Sequence, residues 1–183
     1  MSRSPELETI LAAFIGELAR WGERMNLVGS TDPAATSRHV DDSLAAVPHL
    51  AQGISAVDLG SGAGFPGLPI AIARQDICVS LVEIREKRVA FLRHVVRTLG
   101  LDVDVRRASI ENAPAETFDV ALLRAVASPE RSVELARPWV RPDGEIWIWA
   151  GAGIDLDGAR AIPLASGGSI LRVPAAAISR GTS

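Results

Sequence analysis

The chain has no tyrosine, one cysteine and few phenylalanines, and its longest apolar stretches are short and broken by glycine and proline. Cys78 alone excludes an internal disulfide and a cysteine metal cluster, so a reducing, cytoplasmic setting and no metal are expected. The stretch from Gly62 to Ala73 falls well short of the roughly 20 apolar residues a membrane-spanning helix needs. No apolar signal core follows Met1, so no export and no membrane are expected. An excess of positive charge is also missing. Lys plus Arg is 19 against 22 for Asp plus Glu, a net charge of -3. A nucleic-acid binder with that balance must carry its basic face locally. Lys87 is the only lysine. The arginine bias suits bidentate phosphate contacts, but a GC-rich coding sequence produces the same bias.

What is present is an ordinary globular balance. Apolar residues make up 48% and charged residues 22% of 183 residues, enough for a real core and one main domain. Ser4 and Pro5 open a helix in which Leu7, Ile10, Leu11, Phe14, Leu18, Trp21 and Met25 recur at three- and four-residue steps. A polar turn over 29–33 and a second helix over 36–50 follow. These two helices make an N-terminal helical extension over 1–52, ahead of a domain over 53–183 with a shortened C-terminal end.

From Ile54 the texture changes to strands alternating with helices. Strands are expected over 54–59, 78–84, 103–108, 118–123 and 145–150, with helices over 68–74, 85–99 and 128–139. A turn is expected over 141–144, one weak strand over 170–173, and loose chain over the last ten residues. Such alternation implies βαβ units and an α/β fold with a doubly wound, mostly parallel, Rossmann-like sheet.

The most informative segment is Asp58-Leu59-Gly60-Ser61-Gly62-Ala63-Gly64-Phe65-Pro66-Gly67. Glycines between a strand and a helix let the backbone turn tightly and approach a ligand. Glu83, at the end of the next strand, can accept hydrogen bonds from both hydroxyls of a ribose. Together they describe a nucleoside-binding cleft. Gly62, Gly64 and Gly67 formally satisfy a dinucleotide pattern, which keeps a nicotinamide-dependent oxidoreductase open. Asp58 favours S-adenosylmethionine, because a carboxylate at the mouth of the loop repels a pyrophosphate and welcomes a cationic amino-acid end. A glycine-rich turn without a ligand is the plain alternative. Further along, Ile110 can pack on an adenine face while Glu111 reads its edge, or Ser109 to Glu111 is an ordinary helix cap. Arg124 contacts substrate or cofactor, or pairs with Glu83 or Asp58. Lys87 and Arg88 contact phosphate, or form a solvated helix face.

Read together, several segments resemble the RsmG (GidB) family of 16S ribosomal RNA methyltransferases. They are Arg38-His39-Val40-Asp41-Asp42-Ser43-Leu44, the loop extended through Leu68-Pro69, Lys87-Arg88-Val89-Ala90-Phe91-Leu92, and Phe118-Asp119 with Arg124-Ala125-Val126-Ala127. Trp21-Gly22-Glu23-Arg24-Met25-Asn26-Leu27 resembles the family's amino-terminal helix motif. The similarity runs over about residues 7 to 151. The resemblance implies a cytoplasmic enzyme that uses S-adenosylmethionine to methylate N7 of a guanine in 16S rRNA, as naked RNA or within the small ribosomal subunit. It places cofactor contacts on Gly60, Phe65, Ile110, Glu111 and Arg124, with Glu83 at the ribose; Asp58, Gly62 and Gly64 join them from the loop. Arg38, His39, Lys87, Arg88 and Arg124 are the expected substrate contacts. No catalytic acid or base is expected. Two departures stand out. Ala150 precedes Gly151 where the family usually has lysine, and no basic final hairpin is evident. They keep a non-catalytic, cofactor-binding remnant open as a further alternative.

Overall fold

A computed structural model of the chain describes residues 3–25, 33–112 and 114–177. The expected turn over 29–33 lies outside them except for Pro33, as do Asn26 and Leu27 of the amino-terminal motif and the last six residues of the tail. Seven strands form one sheet in the order β3-β2-β1-β4-β5-β7-β6. They are β1 (Ser55–Leu59), β2 (Cys78–Glu83), β3 (Val103–Arg107), β4 (Phe118–Arg124), β5 (Val140–Ala150), β6 (Arg160–Pro163) and β7 (Ser169–Pro174). The first five are parallel, β7 runs antiparallel to β5, and β6 pairs antiparallel with β7. The sheet order reverses between β1 and β4, and ligands of such sheets bind outside the strand carboxyl ends at that point.

Five helices cover the sheet: α1 (Pro5–Met25), α2 (Pro33–Leu44), α3 (Gly67–Ala73), α4 (Glu86–Leu99) and α5 (Pro129–Ala136). The Ser4 hydroxyl accepts the Leu7 N–H and starts α1, as its sequence implies. The α2 helix ends earlier than expected. Pro48 lacks an N–H and restricts the residue before it, so a separate 3-10 turn over Val47–His49 takes over. The helix α4 stops on Gly100 in the left-handed conformation (φ 64°), the backbone state glycine tolerates best.

The helices α1 and α2 share their core with the sheet. Leu11, Phe14, Leu18 and Val40 belong to one buried cluster with Ala56, Leu81 and Leu122. The opposite face, carrying α5, buries Val57, Leu59, Leu123, Ile146 and Ile148 with Val133 and Trp139. Each fully buried large side chain of this kind contributes about 1.5–3 kcal/mol.

Two expectations need correction. The turn over 141–144 is instead part of β5. Phe118 pairs with Val140 and Val120 with Glu145, so these residues bulge opposite Asp119. Gly144 fits there because a Cβ would lie 2.5 Å from the Asp119 carbonyl oxygen. The tail, in which no final hairpin was evident, does form one. In it β7 pairs with β5 and β6 with β7. Arg172 on β7 stacks 4.4 Å from the Trp147 ring centroid and bonds Glu145 at 2.7 Å, which fixes the register. Periodicity is weak in so short and polar a segment, which is why β6 left no signal.

Candidate functional site

The glycine loop leaves β1 through left-handed backbone that side chains resist: Gly60 has φ 75°, Gly62 φ 56° and Gly64 φ 92°. The amides of Gly60 and Ser61 both donate to the Val82 carbonyl, at 2.8 and 3.0 Å, which ties the loop to the end of β2. Glu83 completes that tie. Its Oε2 accepts the Gly62 N–H at 3.1 Å, its Oε1 accepts the Arg85 N–H at 2.8 Å, and the Arg88 guanidinium lies 3.6 Å away. Glu83 is therefore buried and pre-aimed, yet each carboxylate oxygen has a second acceptor site left for a diol.

Next to Glu83, Ile84 is 58% exposed, one of two exposed large aliphatic side chains among the described residues. Sequence reasoning passed over it as the last residue of a strand. An isoleucine stranded at a strand's carboxyl end beside an acidic residue was the available signal. The Ser109–Glu111 segment forms a turn and not a helix cap. Trp139 Nε1 donates to the Ile110 carbonyl at 2.9 Å, and the Ser109 hydroxyl accepts the Glu111 N–H at 3.3 Å. From β4, Val126 reaches within 3.1 Å of the place a Gly60 Cβ would occupy. The crevice between the loop and the end of β4 thus depends on Gly60 having no side chain.

Asp58 does not stand at the mouth of the loop. It is fully buried, and its Oδ2 accepts the Gly67 N–H at 3.0 Å while Oδ1 has no partner among the described residues. Burial pushes its pKa up to about 7, and the Gly67 hydrogen bond only partly opposes that. The expected direct role towards a cationic ligand is corrected: a residue with no accessible surface holds the first turn of α3. Phe65 follows in the same loop. Its ring packs between Phe14 (5.4 Å) and His39 (5.5 Å) and is only 8% exposed.

A pH dependence follows from Asp58. The native pKa of about 7 lies above the unfolded value of about 3.8, so the native state retains a proton that the unfolded chain releases. Stability is full below about pH 4, falls as pH rises towards 7 and then levels off. Asn at this position still accepts the Gly67 N–H and cannot ionise. Relative to wild type, Asp58→Asn is expected to gain on the order of a few kcal/mol between about pH 4 and pH 8. Urea unfolding of both proteins across that range checks it; parallel stability curves overturn it.

A cleft of about 420 Å³ opens over the carboxyl ends of β4 and β5. Arg38 and His39 from α2, Arg124 and Ala125 after β4, and Trp149 and Gly151 at the end of β5 line it. Arg124 Nη2 donates to His39 Nδ1 at 2.6 Å and to Asp42 Oδ2 at 3.2 Å. Its partner is thus Asp42, not Glu83 or Asp58. Trp149 Nε1 donates to the Asp42 carbonyl at 2.9 Å, so α2 is bolted to the sheet on both sides of the acid. Burial and the neighbouring Arg124 charge lower the His39 pKa, which leaves its ring neutral near pH 7. Ala125 adopts φ 54°, a left-handed conformation that costs a non-glycine residue on the order of 1 kcal/mol. Of the expected substrate contacts, Arg38, His39 and Arg124 meet in this cleft. Lys87 and Arg88 do not line it; they sit on α4 beside Glu83. Among the described residues, no cluster of three or more metal-ligating side chains occurs, and no helix is long and apolar enough to cross a membrane.

The chain is similar to known proteins in both sequence and fold. The family described as "GidB: rRNA small subunit methyltransferase G" matches residues 7–158. Ribosomal RNA small subunit methyltransferase G of Clavibacter sepedonicus is 39% identical over 145 residues, covering 78% of this chain and 68% of that protein. The protein of the same name from Leifsonia xyli subsp. xyli is 38% identical over 176 residues, covering 87% and 84%. Among solved structures, the mitomycin 7-O-methyltransferase MmcR superposes with a TM-score of 0.66 at 14% identity, over 93% of this chain and 68% of that one. A T. thermophilus 16S rRNA N2 methyltransferase (RsmC), in complex with AdoMet and guanosine, superposes with a TM-score of 0.58 at 18% identity, over 80% and 44%. The structural matches establish the Rossmann-like methyltransferase fold, and the sequence matches go further: this chain belongs to the rRNA small subunit methyltransferase G (GidB) family.

Proposed function

We propose that this chain is a cytoplasmic, S-adenosylmethionine-dependent methyltransferase acting on N7 of a guanine in 16S rRNA of the small ribosomal subunit. One observation carries the cofactor assignment. A dinucleotide needs the amides at the amino end of the first crossover helix for its pyrophosphate. Here the protein's own Asp58 already takes the Gly67 amide, and that end of α3 is buried.

The residues of the crevice fit a nucleoside with a cationic tail. Glu83 offers acceptor capacity to a ribose diol, Ile84 and Ile110 offer apolar faces, and Gly60 leaves room beside Val126. Gly62, Gly64, Glu111 and Arg124 complete the cofactor contacts of this reading. When bound, S-adenosylmethionine supplies an electrophilic methyl group.

The protein's own share of the chemistry is positioning. Guanine N7 has a lone pair and no proton, so no general base is required. In the cleft, Arg124 occupies the acceptor nitrogen of His39 and one carboxylate oxygen of Asp42. Aligning the reactants is worth about 7–11 kcal/mol of the barrier. N7 faces the deep groove of paired RNA, so the base must come from a loop or be flipped into the cleft. Arg38 and Arg124 within the cleft, and Lys87 and Arg88 beside it, provide positive charge for phosphate contacts.

Two measurements test this reading. Titration calorimetry is expected to show S-adenosylmethionine binding and no NAD binding. Labelled methyl is expected to pass to small-subunit RNA from a strain lacking the enzyme. NAD binding in place of S-adenosylmethionine removes the methyltransferase assignment; cofactor binding without transfer leaves the remnant alternative.

A further inference from the structure

His39 is held in a single hydrogen-bonding state. Arginine has donors only, so the 2.6 Å contact from Arg124 Nη2 makes His39 Nδ1 an acceptor, and the ring proton of the neutral imidazole sits on Nε2. The ring is further fixed edge-on against Phe65 at 5.5 Å, and Arg124 is itself anchored by Asp42. His39 lines the 420 Å³ cleft, and the ring's hydrogen bond among the described residues is made at Nδ1, which leaves Nε2 as its remaining polar atom. Among the side chains that line the cleft, His39 therefore brings an N–H donor of fixed tautomer. Nothing in the methyl-transfer chemistry uses it.

Purines differ where such a donor reads them. Beside N7, guanine carries the acceptor O6 and adenine carries an amino group. A donor aimed at position 6 donates to the O6 of the first, meets the amino hydrogens of the second, and leaves N7 unobstructed. We propose that His39 is the specificity-determining residue of this site, donating its Nε2–H to guanine O6 while N7 reacts. The proposal rests on the guanine-N7 reading above and extends it to the basis of base selection. The Arg124–His39–Asp42 chain is then a device for keeping one tautomer, and Arg124 and Asp42 act through His39 as positioning residues.

The test first locates the methylated guanine in the wild-type reaction. That base is then replaced, in a ligated transcript, by 2-aminopurine, which keeps N7 and lacks O6. Wild type is expected to prefer guanine by about 10- to 100-fold in kcat/KM, the range for leaving a buried donor unpaired. His39→Asn keeps an acceptor for Arg124 near the Nδ1 position but its shorter amide leaves no donor at the Nε2 position, so the preference is expected to collapse towards unity. His39→Gln, with an amide N–H at similar reach, is expected to restore part of it. Thermal unfolding confirms that each variant is folded. Independently of activity, 15N chemical shifts of His39 in the wild-type protein are expected to report the Nε2–H tautomer. An unchanged preference in His39→Asn overturns the proposal, as does its transfer to Arg38→Ala or an Nδ1–H tautomer. Cofactor binding with no guanine methylated anywhere overturns the proposed function itself and this inference with it.

Discussion

Gly60→Arg is expected to fold and to bind S-adenosylmethionine at least about 100-fold more weakly than wild type, a loss that calorimetry reads directly. Gly60 holds φ 75°, and its missing Cβ would already lie 3.1 Å from Val126 Cγ2. Any side chain enters the crevice between loop and β4, and arginine fills it and adds a cation where a cationic ligand must lie. The backbone penalty is on the order of 1 kcal/mol, which lowers the thermal midpoint by roughly 2–4 °C in a chain of this size. Gly67 is the informative contrast. There a Cβ would lie 2.5 Å from Leu81 Cδ2 and 2.7 Å from Asp58 Oδ2, inside the core, so Gly67→Val should fail in folding before it fails in binding. Unchanged affinity in a folded Gly60→Arg protein would locate the cofactor elsewhere.

Arg124→Ala is expected to lose about 3–5 kcal/mol of stability and at least 100-fold in methyl transfer. The Asp42 side chain is 8% exposed and Arg124 is its cationic partner among the described residues, so truncation strands a buried carboxylate. It also frees the His39 ring from its tautomer. Adding Asp42→Asn removes the stranded charge and should recover part of the stability and none of the transfer. Urea unfolding with an unchanged slope, set beside single-turnover methylation, separates the two effects. A stability loss below about 1 kcal/mol would mean that the pair behaves as a solvated contact.

Much of this architecture was legible in the residues. Strands β1, β2, β4 and the helices between them follow from apolar runs punctuated by glycine, and Gly100 marks the end of α4. The place of Glu83 at the end of β2 was recoverable from its spacing after the glycine loop. What escaped were features set by contacts distant in sequence. Asp58 reads as a ligand residue, and only the three-dimensional return of Gly67 onto its carboxylate shows it to be structural. The partner of Arg124 lies on α2, 82 positions earlier, and no periodicity pairs them. The bulge over 141–144 looks like a free turn until Asp119 is placed against it. The hairpin lacks an amphipathic signal because β6 is short and mostly exposed, and its pairing is decided by Trp147 and Arg172.

That hairpin also determines how the sheet meets its surroundings. Without β7, the unpaired backbone of β5 and the flanking Ile146, Ile148 and Trp149 would offer an adhesive border to any extended polypeptide. With it, the border passes to β6, four residues bracketed by Arg160 and Pro163. The opposite border is β3, whose outward residues include Asp104, Arg106 and Arg107. Both margins are short, charged or proline-blocked, which discourages copies from zipping together through their backbones during synthesis or crowding.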